Sequence, residues 1–145
     1  MTITTTPVTL LDDHFIHSDS ARHPMSVHIE IRVSGRIDAG RLRSAVGSAI
    51  ALHPMARARL GPTDLTSKTL NWEITPEPEF DPLTVVAADT HEELQYAREQ
   101  LVSVRVPLEA SPPFRVYLVR YPGGDYLILN VNHAAGDGIG TVRLM

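Results

Sequence analysis

The sequence predicts an α+β fold in which helices flank a mixed, largely antiparallel sheet. Three observations carry that expectation. Residues 27–33 alternate apolar and polar, the period of a half-buried strand. Residues 38–53 place apolar side chains at helical spacing behind an aspartate suited to N-capping. Residues 114–121 and 126–131 are β-prone runs joined by Pro122-Gly123-Gly124-Asp125, a hairpin signal. Elements mixed in this order pack as a sheet with covering helices around one core.

The elements follow in chain order. Residues 1–9, rich in threonine, are read as a loose lead-in, and residues 10–145 as the domain. Leu10-Leu11-Asp12-Asp13-His14-Phe15 forms either a short helical turn or a loop. In the first strand Val27, Ile29, Ile31 and Val33 share one face, His28, Glu30 and Arg32 the other, and Gly35 closes it. Asp38 caps a helix with Leu42, Ala45, Val46, Ala49 and His53 on one stripe, and Pro54 stops it. Short strands are expected over 56–60, 70–75 and 83–86, with Pro76-Glu77-Pro78-Glu79 as a stiff connector. Thr90 and Glu93 make a capping box ahead of the stripe Leu94, Ala97, Leu101 and Val104, which Pro107 ends. The hairpin follows, and a further helix is expected after Gly138.

Composition bounds the function. The chain has 145 residues, enough for one domain with a core. It is 43% hydrophobic and 21% charged, a globular balance. A net charge of -4 and Lys68 as the sole lysine argue against a nucleic-acid partner, which would require clustered cationic side chains. The absence of cysteine excludes disulfides, thiolate metal sites and a cysteine nucleophile. The first residues lack signal-peptide character and no apolar run reaches membrane length, so a cytoplasmic protein without a membrane partner is expected.

Chemistry concentrates in Asn132-His133-Ala134-Ala135-Gly136-Asp137-Gly138, directly after the last apolar run. Leu127, Leu129, Val131 and His133 share one strand parity, so His133 is expected to continue an apolar row toward a cavity at the strand's end. An imidazole changes protonation near neutral pH, which suits a general base. Asp137 follows beyond small residues that let the chain turn. Gly136 and Gly138 permit positive φ and close backbone approach, and a side chain at Gly138 would obstruct a channel. Spacing alone leaves open a structural histidine satisfied by its surroundings. His14 and His17, with Asp12, Asp13 and Asp19 nearby, are either a metal site or, as favoured here, exposed loop residues.

The string resembles His-His-x-x-x-Asp-Gly, the active-site motif of the condensation-domain and polyketide-associated acyltransferase superfamily. Asn132 stands where many members carry the first His. Residues 53–60, His53-Pro54-Met55-Ala56-Arg57-Ala58-Arg59-Leu60, are similar to a second family string, Arg-His-Glu-x-Leu-Arg-Thr-x-Phe, keeping the His and one Arg (Arg57). The resemblance implies the N-terminal half of a chloramphenicol acetyltransferase-like fold, with the C-terminal half absent. It implies an enzyme of natural-product biosynthesis moving an acyl group from a carrier-protein phosphopantetheine or coenzyme A thioester to a hydroxyl or amine. His133 would be the base, Asp137 its organiser through an ion pair with Arg57, and Asn132 a structural stand-in for the first His. No metal or bound cofactor is implied. The alternative is a non-catalytic or incomplete condensation-like domain acting as a binding or structural module. A lone half would expose apolar surface and favour self-association or a completing partner.

Overall fold

The computed structural model describes residues 2–63, 66, 69–137, 140 and 141. Its strands are β1 (Thr4–Pro7), β2 (Ser26–Arg32), β3 (Ala58–Leu60), β4 (Asn71–Ile74), β5 (Leu83–Ala87), β6 (Phe114–Arg120) and β7 (Tyr126–Asn132). Its helices are α1 (Leu10–Ser18), α2 (Ala39–Leu52) and α3 (His91–Ser103), with a 3-10 turn at Pro54–Arg57. The fold is α+β, as expected, but the strands divide between two sheets. The larger has the order β2-β7-β6-β5 and the smaller β1-β4-β3. All pairings are antiparallel except β5 with β6, which α3 connects as a crossover.

The central strands of the larger sheet, β6 and β7, are buried on both faces because they are apolar at consecutive positions. One face, formed by Phe114, Val116, Leu118, Leu129 and Val131, receives α2 through Ile50, Leu42 and Val46. The other, formed by Tyr117, Val119, Tyr126 and Ile128, receives α3 through Leu94 and Leu101. Each such aliphatic side chain removed from water stabilises the fold by about 1.5–3 kcal/mol. The smaller sheet closes a third cluster around Ala58, Trp72, Leu108 and Ala134, with Phe15 and Ile16 of α1 packed on it.

Helix starts follow the sequence closely. The Asp38 side chain accepts from the Arg41 amide at 2.7 Å. Thr90 and Glu93 form the reciprocal box that opens α3. Thr9 and Asp12 form a second box, which makes 10–18 a full helix instead of a short turn or loop.

Four expectations are corrected. Residues 4–7 are not a loose lead-in: they pair in register with β4, Thr4 opposite Ile74 and Pro7 opposite Asn71. Only the last part of 56–60 is strand, because Pro54 opens a 3-10 turn that holds Met55 to Arg57. Val104 leaves the helical stripe, since α3 ends at Ser103 and Val104 is 53% exposed. His14 and His17 sit on α1 and not in a loop.

A buried carboxylate fastens the β6–β7 turn. Asp125 has 0% side-chain exposure and pairs with Arg36 and Arg120, while the Ile37 amide donates to it at 2.9 Å. Burial alone would raise this carboxyl. The bonds from Ile37, Arg120 and Arg36 outweigh it and hold the group below the ordinary carboxylate range. The adjacent Gly124 has φ +147°, and a Cβ there would lie 2.0 Å from the Val33 carbonyl oxygen. Glycine therefore lets this turn press against the end of β2.

Candidate active site

β7 ends at Asn132 and the chain turns at His133, held by Ala135 and Gly136 amides donating to the Asn132 carbonyl at 3.0 and 3.2 Å. His133 therefore leaves the row of Leu129 and Val131 that packs under α2. Its ring stacks instead on Phe15 of α1, with centroids 3.9 Å apart and planes 17° apart. Its amide donates to the Met25 carbonyl at 2.8 Å, next to the start of β2. The Nδ1 atom is buried and without a hydrogen-bond partner among the described residues.

His133 and Asp137 line one cavity of about 360 Å³ between α1, β1 and the motif turn. Thr6, Pro7, Thr9, Leu11, Asp12, Phe15, Met55, Trp72 and Gly136 complete its wall. It is mostly apolar, with the imidazole, the Thr9–Asp12 box and Asp137 as polar points. Trp72 is 1% exposed and its indole donates to Asp12 at 3.4 Å. A smaller cavity of about 110 Å³ adjoins through Met55, Ala135 and Gly136.

Asn132 is wholly buried and fully used. Its Nδ2 donates to Asp19 at 3.0 Å and to the Val106 carbonyl at 2.8 Å, while its Oδ1 accepts from the Ala134 amide at 3.1 Å. The neutral amide thus meets the structural demand of its position.

Asp137 is exposed, and its carboxylate accepts from the Gly140 amide at 2.7 Å while its carbonyl accepts from Thr141. That is an N-cap arrangement for Gly140 and Thr141, which are helical. The expected pairing with Arg57 is not formed. Arg57 donates to the carbonyls of Thr75, Ile50 and Ala51 at 3.0, 2.6 and 3.1 Å, tying the end of α2 to β4. Among the described residues Asp137 makes no ion pair. The carbonyls nearest the guanidinium capture it first. An Asp–Arg pair does lie beneath the motif, between Asp19 and Arg105.

Gly136 does not use a positive φ. A Cβ there would stand 3.2 Å from Val131 Cγ1, a tight contact that the valine would have to yield to by a few tenths of an ångström. Gly138 lies outside the described residues. His17 Nδ1 lies 3.3 Å from Asp13 on exposed surface, and no group of three His or acidic residues is arranged to hold a metal among the described residues. Phe15, Met25, Trp72 and Arg105 all bear on the site without being read from sequence as site residues, and Asp19 was read only as a neighbour of His14 and His17. No motif in the sequence joins them.

Comparison with known proteins bears on the fold. No family model matches the chain. Two uncharacterized proteins of Mycobacterium tuberculosis, one from each of two strains, are 44% identical over 138 residues, which is 95% of this chain and 31% of each relative. The chain thus spans about a third of the length of the curated relatives it matches. Among solved structures, the X-domain in complex with OxyB from teicoplanin biosynthesis superposes with TM-score 0.78 at 19% identity, over 95% of this chain and 31% of that one. The epimerization domain from the third module of tyrocidine synthetase B gives TM-score 0.75 at 15% identity, over 92% and 31%. SgcC5 from Streptomyces globisporus gives 0.71 at 23% identity, over 96% and 35%.

The fold is that of the condensation domains. The chain corresponds to about a third of the length of those chains. Among the described residues no helix is long and apolar enough to cross a membrane.

Proposed function

We propose that this protein takes part in acyl transfer from a carrier-protein phosphopantetheine or coenzyme A thioester to a hydroxyl or amine acceptor. One observation carries the reading: His133, directly after β7, lines a mostly apolar cavity together with Asp137. His133 accepts the proton of the attacking O–H or N–H as that atom adds to the thioester carbonyl carbon. The C–S bond then breaks, and the leaving sulfur takes the proton back as a thiol. Asp137 acts on the turn and not on the substrate, since its carboxylate already accepts the Gly140 amide. Phe15 fixes the imidazole plane by stacking. An apolar wall excludes water, which would otherwise compete with the acceptor.

The test uses acyl-coenzyme A thioesters of increasing chain length with alcohol and amine acceptors, reading released thiol. The chain contains no cysteine, so a thiol reagent sees no background from the protein. His133→Ala is expected to lower the rate by about 10²–10⁴-fold, the worth of a positioned general base. Its melting temperature should stay that of the parent. A rate retained by a folded His133→Ala overturns the assignment.

A second reading is a binding module of condensation-like fold. It is favoured by the likeness to the X-domain, which is described in complex with OxyB. A folded chain that releases no thiol from any donor would leave this reading in place.

A further inference from the structure

The residue before His133 and the residue bonded to its amide converge on one carboxylate, that of Asp19, whose backbone amide also ends the helix carrying the ring stacked on His133. Asp19 has 0% side-chain exposure. Its Oδ2 accepts from Asn132 Nδ2 at 3.0 Å and from Arg105 Nε at 2.7 Å. Its Oδ1 accepts from the Met25 amide at 2.9 Å, and the Met25 carbonyl in turn accepts the His133 amide at 2.8 Å. Its own amide donates to the Phe15 carbonyl at 3.0 Å, ending α1 one turn after the ring that lies against His133.

We propose that Asp19 and Arg105 are positioning residues for His133, clamping the motif turn through Asn132 and Met25. The geometry requires an acceptor at both carboxylate oxygens. An amide at position 19 would turn its NH2 toward either the Met25 amide or the Asn132 amide, donor against donor. Arg105 supplies the opposite charge beside a side chain that has no exposed surface. It reaches in from a partly exposed position, 29% accessible, and also contacts Glu109 at 3.3 Å. The clamp explains why Asn132 serves where a histidine is common in the family string. Either side chain can present an N–H to Asp19, the bond that ties the turn to the carboxylate.

The inference rests on His133 being the working group of the site, but its test needs no turnover. A ring stacked face to face at 3.9 Å lies in the shielding cone of Phe15. The full chain should therefore show one histidine whose ring-proton NMR signals lie upfield of the others, assigned by their loss in His133→Ala. In Asp19→Asn and Asn132→Leu those signals should move back toward the range of the other histidines, while the β6–β7 amide fingerprint persists. Arg105→Gln, at a partly exposed site that tolerates change, should move them in the same direction and decides the matter if the buried variants do not fold. Arg98→Gln, which breaks the surface pair with Glu30, should leave them in place.

Unchanged upfield signals in folded variants of Asp19 and Arg105 would overturn the clamp, as would an equal displacement in Arg98→Gln. A chain that shows the displacement and yet transfers no acyl group would refute the acyltransferase reading and leave the clamp standing.

Discussion

At the scale of single residues, charge buried with its partners decides more than charge on the surface. Asp125 has no exposed side-chain surface and answers to two arginines and an amide, so removing its charge leaves both guanidinium groups facing an uncompensated site. Asp125→Asn is expected to lower stability by about 3 kcal/mol, the lower end of what breaking a buried pair costs. Chemical denaturation at neutral pH checks this. Because the folded carboxyl is held below its ordinary value, its contribution is complete above the unfolded-state value and lost as pH falls through the lower folded one. The acid side of the stability curve should be steeper in the parent than in Asp125→Asn, as read by denaturation midpoints across that range. The fold brings His133 and Asp137 to one cavity, and sequence nominated both from a local string of seven residues. It gave Asp137 the wrong partner, since the choice of Arg57 over Gly140 depends on where the end of α2 lies. The Asp19 contacts were not legible at all: its partners stand 86 and 113 residues away.

Elements were read best where the signal was local. The starts of α2 and α3 follow from one capping side chain each, and the hairpin follows from two glycines between apolar runs. Thr90→Ala should cost about 1 kcal/mol, since it removes the side-chain acceptor for the Glu93 amide. The loss should show as a lower melting temperature with the fold retained. Gly124→Ala should cost more than about 1 kcal/mol, because the residue combines a positive φ with a Cβ position inside contact distance of Val33. Gly123→Ala, where a Cβ meets nothing within 4 Å, isolates the φ contribution alone. β1 escaped notice for a physical reason. Thr4 to Pro7 has no apolar alternation, and its pairing with β4 is set by backbone hydrogen bonding in a fully exposed edge strand.

For the whole molecule, sequence gave the class and the largely antiparallel pairing but not the division into two sheets. That division depends on which short strands find partners, and 58–60 and 71–74 carry too few residues to declare it. The described surface keeps large apolar side chains in water, with Leu10 at 93%, Leu52 at 77% and Leu11 at 64% exposure. Self-association that grows with concentration is therefore expected, measured as a rising mass by light scattering; a constant monomer mass at high concentration would contradict it. The strand order has a further consequence for how the chain is made. β2 is an edge strand whose sheet partner is β7 alone, Val27 opposite Val131, so about a hundred residues separate the two. A ribosome delivers β2 about a hundred residues before its partner. Until β7 emerges the apolar row of β2 waits unpaired, and the motif turn closes only when the two strands meet.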